Sequence, residues 1–181
     1  MSGADSASRG FPPVSAPDAR ILILGSLPGA RSIAEQRYYA HPQNAFWRIM
    51  RDLVGADGSY ERRCQALVDR RIALWDVLAQ SHRPGSMDAD IDLASARPND
   101  FESFFSAHPD VERVCFNGKK AEAMFGRFVA GEVGAPNTER IGLPSTSPAY
   151  ASMSYDEKFM RWKSALEPVL GGEHNTNRAN A

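Results

Sequence analysis

The sequence predicts an α/β protein: a three-layer α/β/α sandwich around a central four-stranded parallel sheet, with a single domain. Three observations carry that expectation. Short strand-length runs rich in apolar residues occur at 21–24, 71–78 and 111–117, the first with the pattern of a strand buried on both faces, and 138–143 reads as a short fourth strand. The segments between them carry apolar residues at helical spacing. The two patterns alternate about four times, which is the signature of parallel strands joined by right-handed helical crossovers.

Taken in order, residues 1–18 are rich in Ser, Ala, Pro and Gly and read as a disordered leader. The first strand ends at Gly25 and runs into the turn Gly25-Ser26-Leu27-Pro28-Gly29. Residues 30–37 form a short helix. Asn44 is placed to cap the next one, in which Phe46, Ile49, Met50 and Leu53 share a face. A third helix covers residues 59–70, and the second strand, 71–78, carries an acid, Asp76, near its end. Residues 81–97 read as a long loop, and Asn99 as the cap of a helix through Phe101, Phe104 and Phe105. After the third strand, Gly118-Lys119-Lys120-Ala121 opens a helix to about Val129; residues 131–137 are a turn-rich connection. The last helix, about 155–169, aligns Phe159, Trp162 and Leu166. The domain is thus expected over residues 19–170, followed by a polar, Asn-rich disordered tail at 171–181.

Composition bounds the function. A chain of 181 residues, 43% hydrophobic and 24% charged, is long enough for one well-formed core. Its formal charge of -1 argues against a DNA-wrapping or polybasic membrane-binding protein. It leaves room for an enzyme that grips a few phosphates through backbone amides and helix N-termini. No apolar run is long enough to span a membrane, and the first residues lack the apolar core of a signal peptide, so a cytoplasmic protein is expected. The two cysteines, Cys64 and Cys115, are too few for a cluster or a cysteine-based zinc site, and His41, His82, His108 and His174 show no close ligand spacing. No metal is expected.

In an open parallel sheet, ligands bind at the carboxyl ends of the strands. Chemistry is therefore expected in the loops after Leu24, Trp75, Asn117 and Leu143. The first turn is not a nucleophile elbow, because GSLPG does not match G-x-S-x-G, and no His–Asp pair can be assigned to Ser26.

Three stretches together, GSLPG after the first strand, YYAHPQNAFW about ten residues later and STSPA after the last strand, resemble the uracil-DNA glycosylase superfamily. Within it the chain is most similar to the hypoxanthine-DNA glycosylase branch; LWDVL, RPND and FNGKKA fall in that branch's order, and the resemblance covers roughly residues 20–168. It implies an α/β/α sandwich that flips a deaminated base out of DNA and hydrolyses its N-glycosidic bond, leaving an abasic site, with DNA as partner and no cofactor. The protein is expected to act as a monomer.

Many relatives carry an Asp or Asn in the first motif to position water. The matching residue here is Leu27, which neither donates nor accepts a hydrogen bond. The resemblance moves the catalytic amide to Asn44, which also fits a plain helix cap. Ser26 joins it as a catalytic candidate, with Gly25 and Leu27 beside it facing the base. Phe46 is the expected stacking partner for the extracted base, since base flipping must replace lost stacking, and Tyr39 is the expected pocket wall. Asp76 reads the base edge or caps the next turn. His41, held out of helical geometry by Pro42, and Lys119 at a helix N-terminus are phosphate candidates. Ser145, Thr146, Ser147 and Pro148 form the loop that the resemblance assigns to intercalation and phosphate pinching. The alternatives are a uracil- or mismatch-specific glycosylase, a lesion-binding protein without catalysis, and a hydrolase of free nucleosides.

Overall fold

The computed structural model describes residues 7–85, 87–129, 131 and 138–171. The elements run β1 (Ser8–Arg9), β2 (Ile21–Gly25), α1 (Ala30–Glu35), α2 (Phe46–Val54), α3 (Tyr60–Asp69), β3 (Ile72–Asp76), β4 (Leu78–Ser81), β5 (Arg97–Pro98), α4 (Phe101–Ala107), β6 (Arg113–Asn117), α5 (Lys119–Phe128), β7 (Glu139–Leu143) and α6 (Tyr155–Leu170). Four of the strands form one parallel sheet in the order β3-β2-β6-β7.

Period-two alternation along these strands divides the core. Leu22, Leu24, Ala73, Trp75, Val114 and Phe116 pack with the phenylalanines of α4 and α5. Ile21, Ile23, Ile72, Leu74 and Cys115 face the other way, onto α2, α3 and α6. Both faces of β2, β3 and most of β6 are therefore dry, which is why those strands show continuous apolar runs, whereas the edge strand β7 leaves Glu139, Arg140 and Gly142 exposed. The three-layer α/β/α sandwich expected from the sequence is present.

Three local expectations need correction. Residues 8–18 of the expected disordered leader are ordered. Ser8–Arg9 pairs antiparallel with β4; Val14 bridges Leu74 on the outer edge of β3. Trp75 Nε1 donates to Phe11 O at 3.0 Å, and Tyr38 Oη to Pro12 O at 3.0 Å. Covering the β3 edge satisfies backbone groups that would otherwise offer a template for another strand, a gain that low local hydrophobicity does not reveal. Residues 1–6 and 172–181, the rest of the expected leader and nearly all of the expected tail, lie outside the described residues, as do 132–137 of the turn-rich connection.

The apolar run at 71–78 is two strands rather than one. Val77 N donates to Gly25 O at 2.8 Å and Leu78 N to Ser26 O at 3.1 Å, so the chain leaves the main sheet over the first turn and starts a second sheet, ordered β1-β4-β5. The helix after Pro98 is capped by Asp100, whose Oδ1 accepts from Ser103 N at 3.0 Å. Asn99 instead donates its side-chain amide to Asp76 O at 2.8 Å, bracing the end of β3.

Candidate functional site

The carboxyl ends of β2, β3, β6 and β7 open into a cavity of about 610 Å³. Its walls come from the first turn, the loop before α2, the segment between β4 and β5, and the loop after β7. Of the residues singled out from sequence, Gly25, Ser26, Leu27, Tyr39, His41, Asn44, Asp76, Ser145, Thr146, Ser147 and Pro148 all line it. Phe46 and Lys119 are not among its lining residues.

Phe46 is fully buried. Its ring stacks under Tyr39, with centroids 4.2 Å apart, and meets Trp47 and Trp162 edge-on. The helical spacing that made Phe46 visible is core spacing, so of these two rings it is Tyr39 that lines the cavity. Tyr39 has φ of 52°, in the left-handed region that a bulky side chain seldom occupies. The Phe46 ring packs against one face of Tyr39 in that conformation, and strain of this kind is concentrated at functional sites. Lys119 is exposed at the start of α5, outside the cavity.

The deep wall is made by Gly25, Asp76 and Tyr39. A Cβ on Gly25 would lie 2.5 Å from Asp76 Oδ1 and 2.9 Å from Tyr39 Oη. Glycine is therefore required here for room. Asp76 is 3% exposed. Burial, helped by the like charge of Asp88 and opposed by Arg83, pushes its carboxyl up to about 7. Burial and the same carboxyl also drive the Tyr39 phenol well above its ordinary range. Among the described residues, only four buried side-chain polar atoms lack a hydrogen-bond partner, and three of them belong to this cavity's lining: Tyr39 Oη, Asp76 Oδ2 and Arg83 Nε. The Asn117 amide faces the Tyr39 phenol without a well-aligned bond. A buried polar atom without a partner costs on the order of 1–3 kcal/mol. Three such atoms around one cavity mark a place built for a polar ligand.

Asn44 reaches the cavity from the turn before α2. Its Oδ1 accepts from Phe46 N at 3.0 Å. This fixes the orientation of the amide and leaves Nδ2 as its free donor pair. The N-cap of α2 is Ala45 rather than Asn44 as expected, so Asn44 closes a local turn before the helix, a bond compatible with an active role. Ser26 Oγ donates to Asp88 Oδ1 at 2.6 Å, so the hydroxyl expected to act on substrate is engaged by the opposite wall.

The rim differs. Thr146 is 1% exposed and locked to the end of β6: its N donates to Asn117 Oδ1 at 2.9 Å, and its hydroxyl accepts from Asn117 Nδ2 at 2.8 Å. Its carbonyl accepts from Ala45 N at 2.9 Å, tying this loop to the one bearing Asn44. Ser145 Oγ accepts from Ser147 N, and Ser147 Oγ from Ala149 N. His41 Nδ1 accepts from Gln43 N at 3.2 Å. Thr146 thus shapes the loop, while Ser147, Pro148 and His41 stand at the opening.

Sequence reasoning missed Arg83, Asp88, Asn117 and Tyr150. Arg83 is buried and donates to the carbonyls of Leu27 and Pro28, holding the first turn. The available signal was positional: a segment leaving the end of β3 must cross the carboxyl edge of the sheet. Met87 and Tyr150, two of the three large hydrophobic side chains exposed among the described residues, stand on different loops around the opening. Lys158 Nζ, itself buried, donates to Tyr150 O at 2.7 Å and anchors that loop. Among the described residues no group of His, Cys, Asp and Glu could hold a metal ion, and no helix is long and apolar enough to cross a membrane.

Sandwich and cavity together define the class: an α/β/α protein with a polar-lined cavity at the carboxyl edge of its sheet. The family model of the uracil DNA glycosylase superfamily matches residues 12–170, and the chain belongs to that superfamily. A hypoxanthine DNA glycosylase from Methanosarcina acetivorans is 42% identical over 116 residues, 62% of this chain and 72% of that protein. One from Methanosarcina barkeri is 41% identical over the same shares. The solution NMR structure of a candidate uracil DNA glycosylase from Methanosarcina acetivorans superposes with a TM-score of 0.74 at 34% identity, covering 92% of this chain and 99% of that one.

Proposed function

We propose that this protein is a monofunctional DNA glycosylase of base excision repair that removes hypoxanthine, and less readily uracil, from DNA. The observation that carries the reading is the buried Asp76 carboxyl, with one oxygen unpartnered, on the deep wall of a cavity that also holds Asn44. A neutral carboxylic acid has one donor and one acceptor side by side. That pair matches the H–N–C=O edge of a deaminated base: hypoxanthine N1–H donates to Asp76, and the acid proton is shared with O6. Adenine presents the reverse order, an acceptor at N1 beside an amino donor, and is rejected only while the acid's proton stays on the oxygen facing O6. Uracil carries the same edge on a smaller ring, while the curated relatives favour hypoxanthine.

In the reaction, the bond between C1′ and the base nitrogen breaks with its electron pair going to the base. Water adds to C1′ and gives up a proton, and the products are free base and an abasic site. Negative charge grows on the base as it leaves, so donors aimed there lower the barrier. Asn44 Nδ2 supplies such a donor or orients the water; an amide is too weak a base to take the water's proton. Tyr39, backed by Phe46, provides the face on which the extracted base stacks. Keeping Asp76 neutral avoids a fixed negative charge beside the departing anion. Ser26 fixes the Asp88 wall. Ser145, Ser147, Pro148 and His41 meet the DNA backbone, and Met87 and Tyr150 fill the space left in the base stack. The proposal includes a cytoplasmic protein that works as a monomer.

Release of free base from duplexes containing hypoxanthine, uracil or adenine tests this reading. Hypoxanthine release with no release of adenine is the expected result. Tight binding of hypoxanthine duplex with no abasic product would instead make the chain a lesion-binding protein, and equal turnover of free inosine would make it a nucleoside hydrolase.

A further inference from the structure

On the far side of the loop that carries His41 and Asn44 lies a second cleft of about 400 Å³, between that loop, α2 and α3. It shares Tyr38, Tyr39, His41 and Asn44 with the first cavity, so one thin wall separates the two. Arg37, Arg48, Arg51 and Arg63 line it, against Glu35 and Asp57. The two acids and one arginine are already engaged. Glu35 is paired with Arg31 and Arg51 with Asp52, while Asp57 Oδ1 accepts from Gly58 N. Arg37, Arg48 and Arg63 have no ion pair with a carboxylate among the described residues.

What holds these three guanidinium groups is aromatic. Arg37 lies over the Tyr60 ring at 5.5 Å, Arg63 over Trp47 at 5.2 Å and Arg48 over Tyr155 at 3.6 Å from the centroid. A ring face orients a guanidinium while leaving its edge donors unspent. Arg63 Nε is the fourth of the buried polar atoms without a partner. A chain of formal charge -1 thus concentrates three pre-oriented cations beside its base cavity, none in a close ion pair, with the Glu61 carboxylate near Arg37 and Arg63 and Asp52 near Arg48. Planar donor forks presented in this way match the paired oxygens of a phosphate.

We infer that this cleft is a second nucleic-acid contact, in which Arg37, Arg48 and Arg63 bind backbone phosphates of the strand whose base enters the first cavity. The inference rests on the glycosylase reading for its choice of ligand: the loop bearing Asn44 then lies between an extracted nucleotide on one side and the neighbouring phosphates on the other. The opposite rim, Ser145 to Pro148, grips by hydroxyls and amides, whereas this side grips by charge.

The test is the salt dependence of binding to undamaged and hypoxanthine-containing duplex, for the parent protein and for the triple variant R37Q/R48Q/R63Q. Each phosphate neutralised adds about 0.9 to the slope of log affinity against log salt. The triple variant is expected to lose about 2–3 units of slope, with affinity falling on the order of tenfold per contact near 0.1 M salt. The triple Arg→Lys variant keeps the charge and is expected to retain most of the slope. Neutral methylphosphonate placed next to the lesion is expected to weaken the parent but not the Arg→Gln variant. Should the triple variant fail to fold, R37Q and R48Q, both at exposed positions, are each expected to lower the slope by about one unit.

An unchanged slope overturns the inference. So does a variant that loses binding of inorganic phosphate while its DNA slope is kept, because the cleft would then serve a free anion. Undamaged duplex is bound without excision. A parent that releases no base therefore overturns the glycosylase reading alone, and the slopes still decide this one.

Discussion

The deep wall and the rim of the cavity are built on opposite principles. At the rim, Ser145, Thr146, Ser147 and His41 all have hydrogen bonds within their own loops or to Asn117. At the deep wall, Asp76, Tyr39 and Arg83 each keep a buried polar atom unpaired. A satisfied loop holds its shape without help, whereas an unsatisfied wall costs stability until a ligand completes it. Under the proposed function, this contrast puts selectivity in the deep wall, which would meet the base, and leaves the rim to position the DNA.

The largest expected effect tests what supports that wall. Phe46→Ala removes the ring beneath Tyr39 and is expected to cost about 3–5 kcal/mol in denaturant unfolding, as core aromatic truncations do. Phe46→Leu, which keeps the site apolar and filled, is expected to bind hypoxanthine DNA much like the parent, because Phe46 is shielded by Tyr39. A large loss of base affinity in a stable Phe46→Leu protein would return the stacking role to Phe46.

Next comes the acid. With Asp76 pushed up to about 7, the folded state keeps a proton that the unfolded chain releases near pH 4. Stability from this group is therefore complete at low pH, falls as pH rises between about 4 and 7, and is flat above. The total is about 4 kcal/mol if nothing else adjusts. Asp76→Asn removes that dependence, and the two unfolding curves should separate over this window. Activity carries a sharper sign. If only the neutral acid reads the base, parent excision falls about tenfold per pH unit above 7. Asparagine offers the same donor and acceptor pair without ionising, so Asp76→Asn is expected to keep turnover and lose the alkaline decline. A parent profile flat to pH 9 would show that the carboxylate is the working form.

Asn44→Ala is expected to cost roughly 3 kcal/mol of barrier, on the order of 100-fold in single-turnover excision, while hypoxanthine duplex is still bound. Part of any stability loss, about 1 kcal/mol, belongs to the turn bond from Phe46 N and is read separately by unfolding. Retained excision in the alanine variant would remove this amide from the chemistry.

How far the sequence reveals these regions follows from their physics. Strands β2, β3 and β6 were legible because parallel strands buried on both faces carry apolar runs, and the loops were legible because topology gathers them at one edge. Asn44 and Asp76 stood out as polar residues at strand and helix ends. Phe46 lies behind Tyr39 rather than in the cavity because spacing along a helix reports burial, and the proposed stacking platform needs a face open to the cavity. Tyr39 gains that face through its positive φ, which a tyrosine gives no hint of in sequence. Arg83 and Asp88 were hidden by a segment without periodicity. The ordered leader was hidden because its stability comes from covering an edge strand rather than from its own apolar content.

The smallest effects belong to the rim, where two neighbours separate shape from contact. Ser147 is partly exposed, and its hydroxyl accepts only a 3.3 Å bond from Ala149 N. Removing it in Ser147→Ala is expected to weaken DNA binding by about threefold and leave unfolding unchanged, the scale of one exposed neutral hydrogen bond. Thr146→Ala strips the hydroxyl that accepts from the buried Asn117 amide and leaves a donor unpaired where water has little access. Its expected cost is about 1–3 kcal/mol of stability. Because Thr146 O also holds Ala45 N, the loop bearing Asn44 loosens with it, and excision should fall more than DNA affinity does. Equal losses of affinity and excision in both variants would mean that the rim is one contact surface, with no division between the residue that touches DNA and the residue that holds the catalytic loop in place.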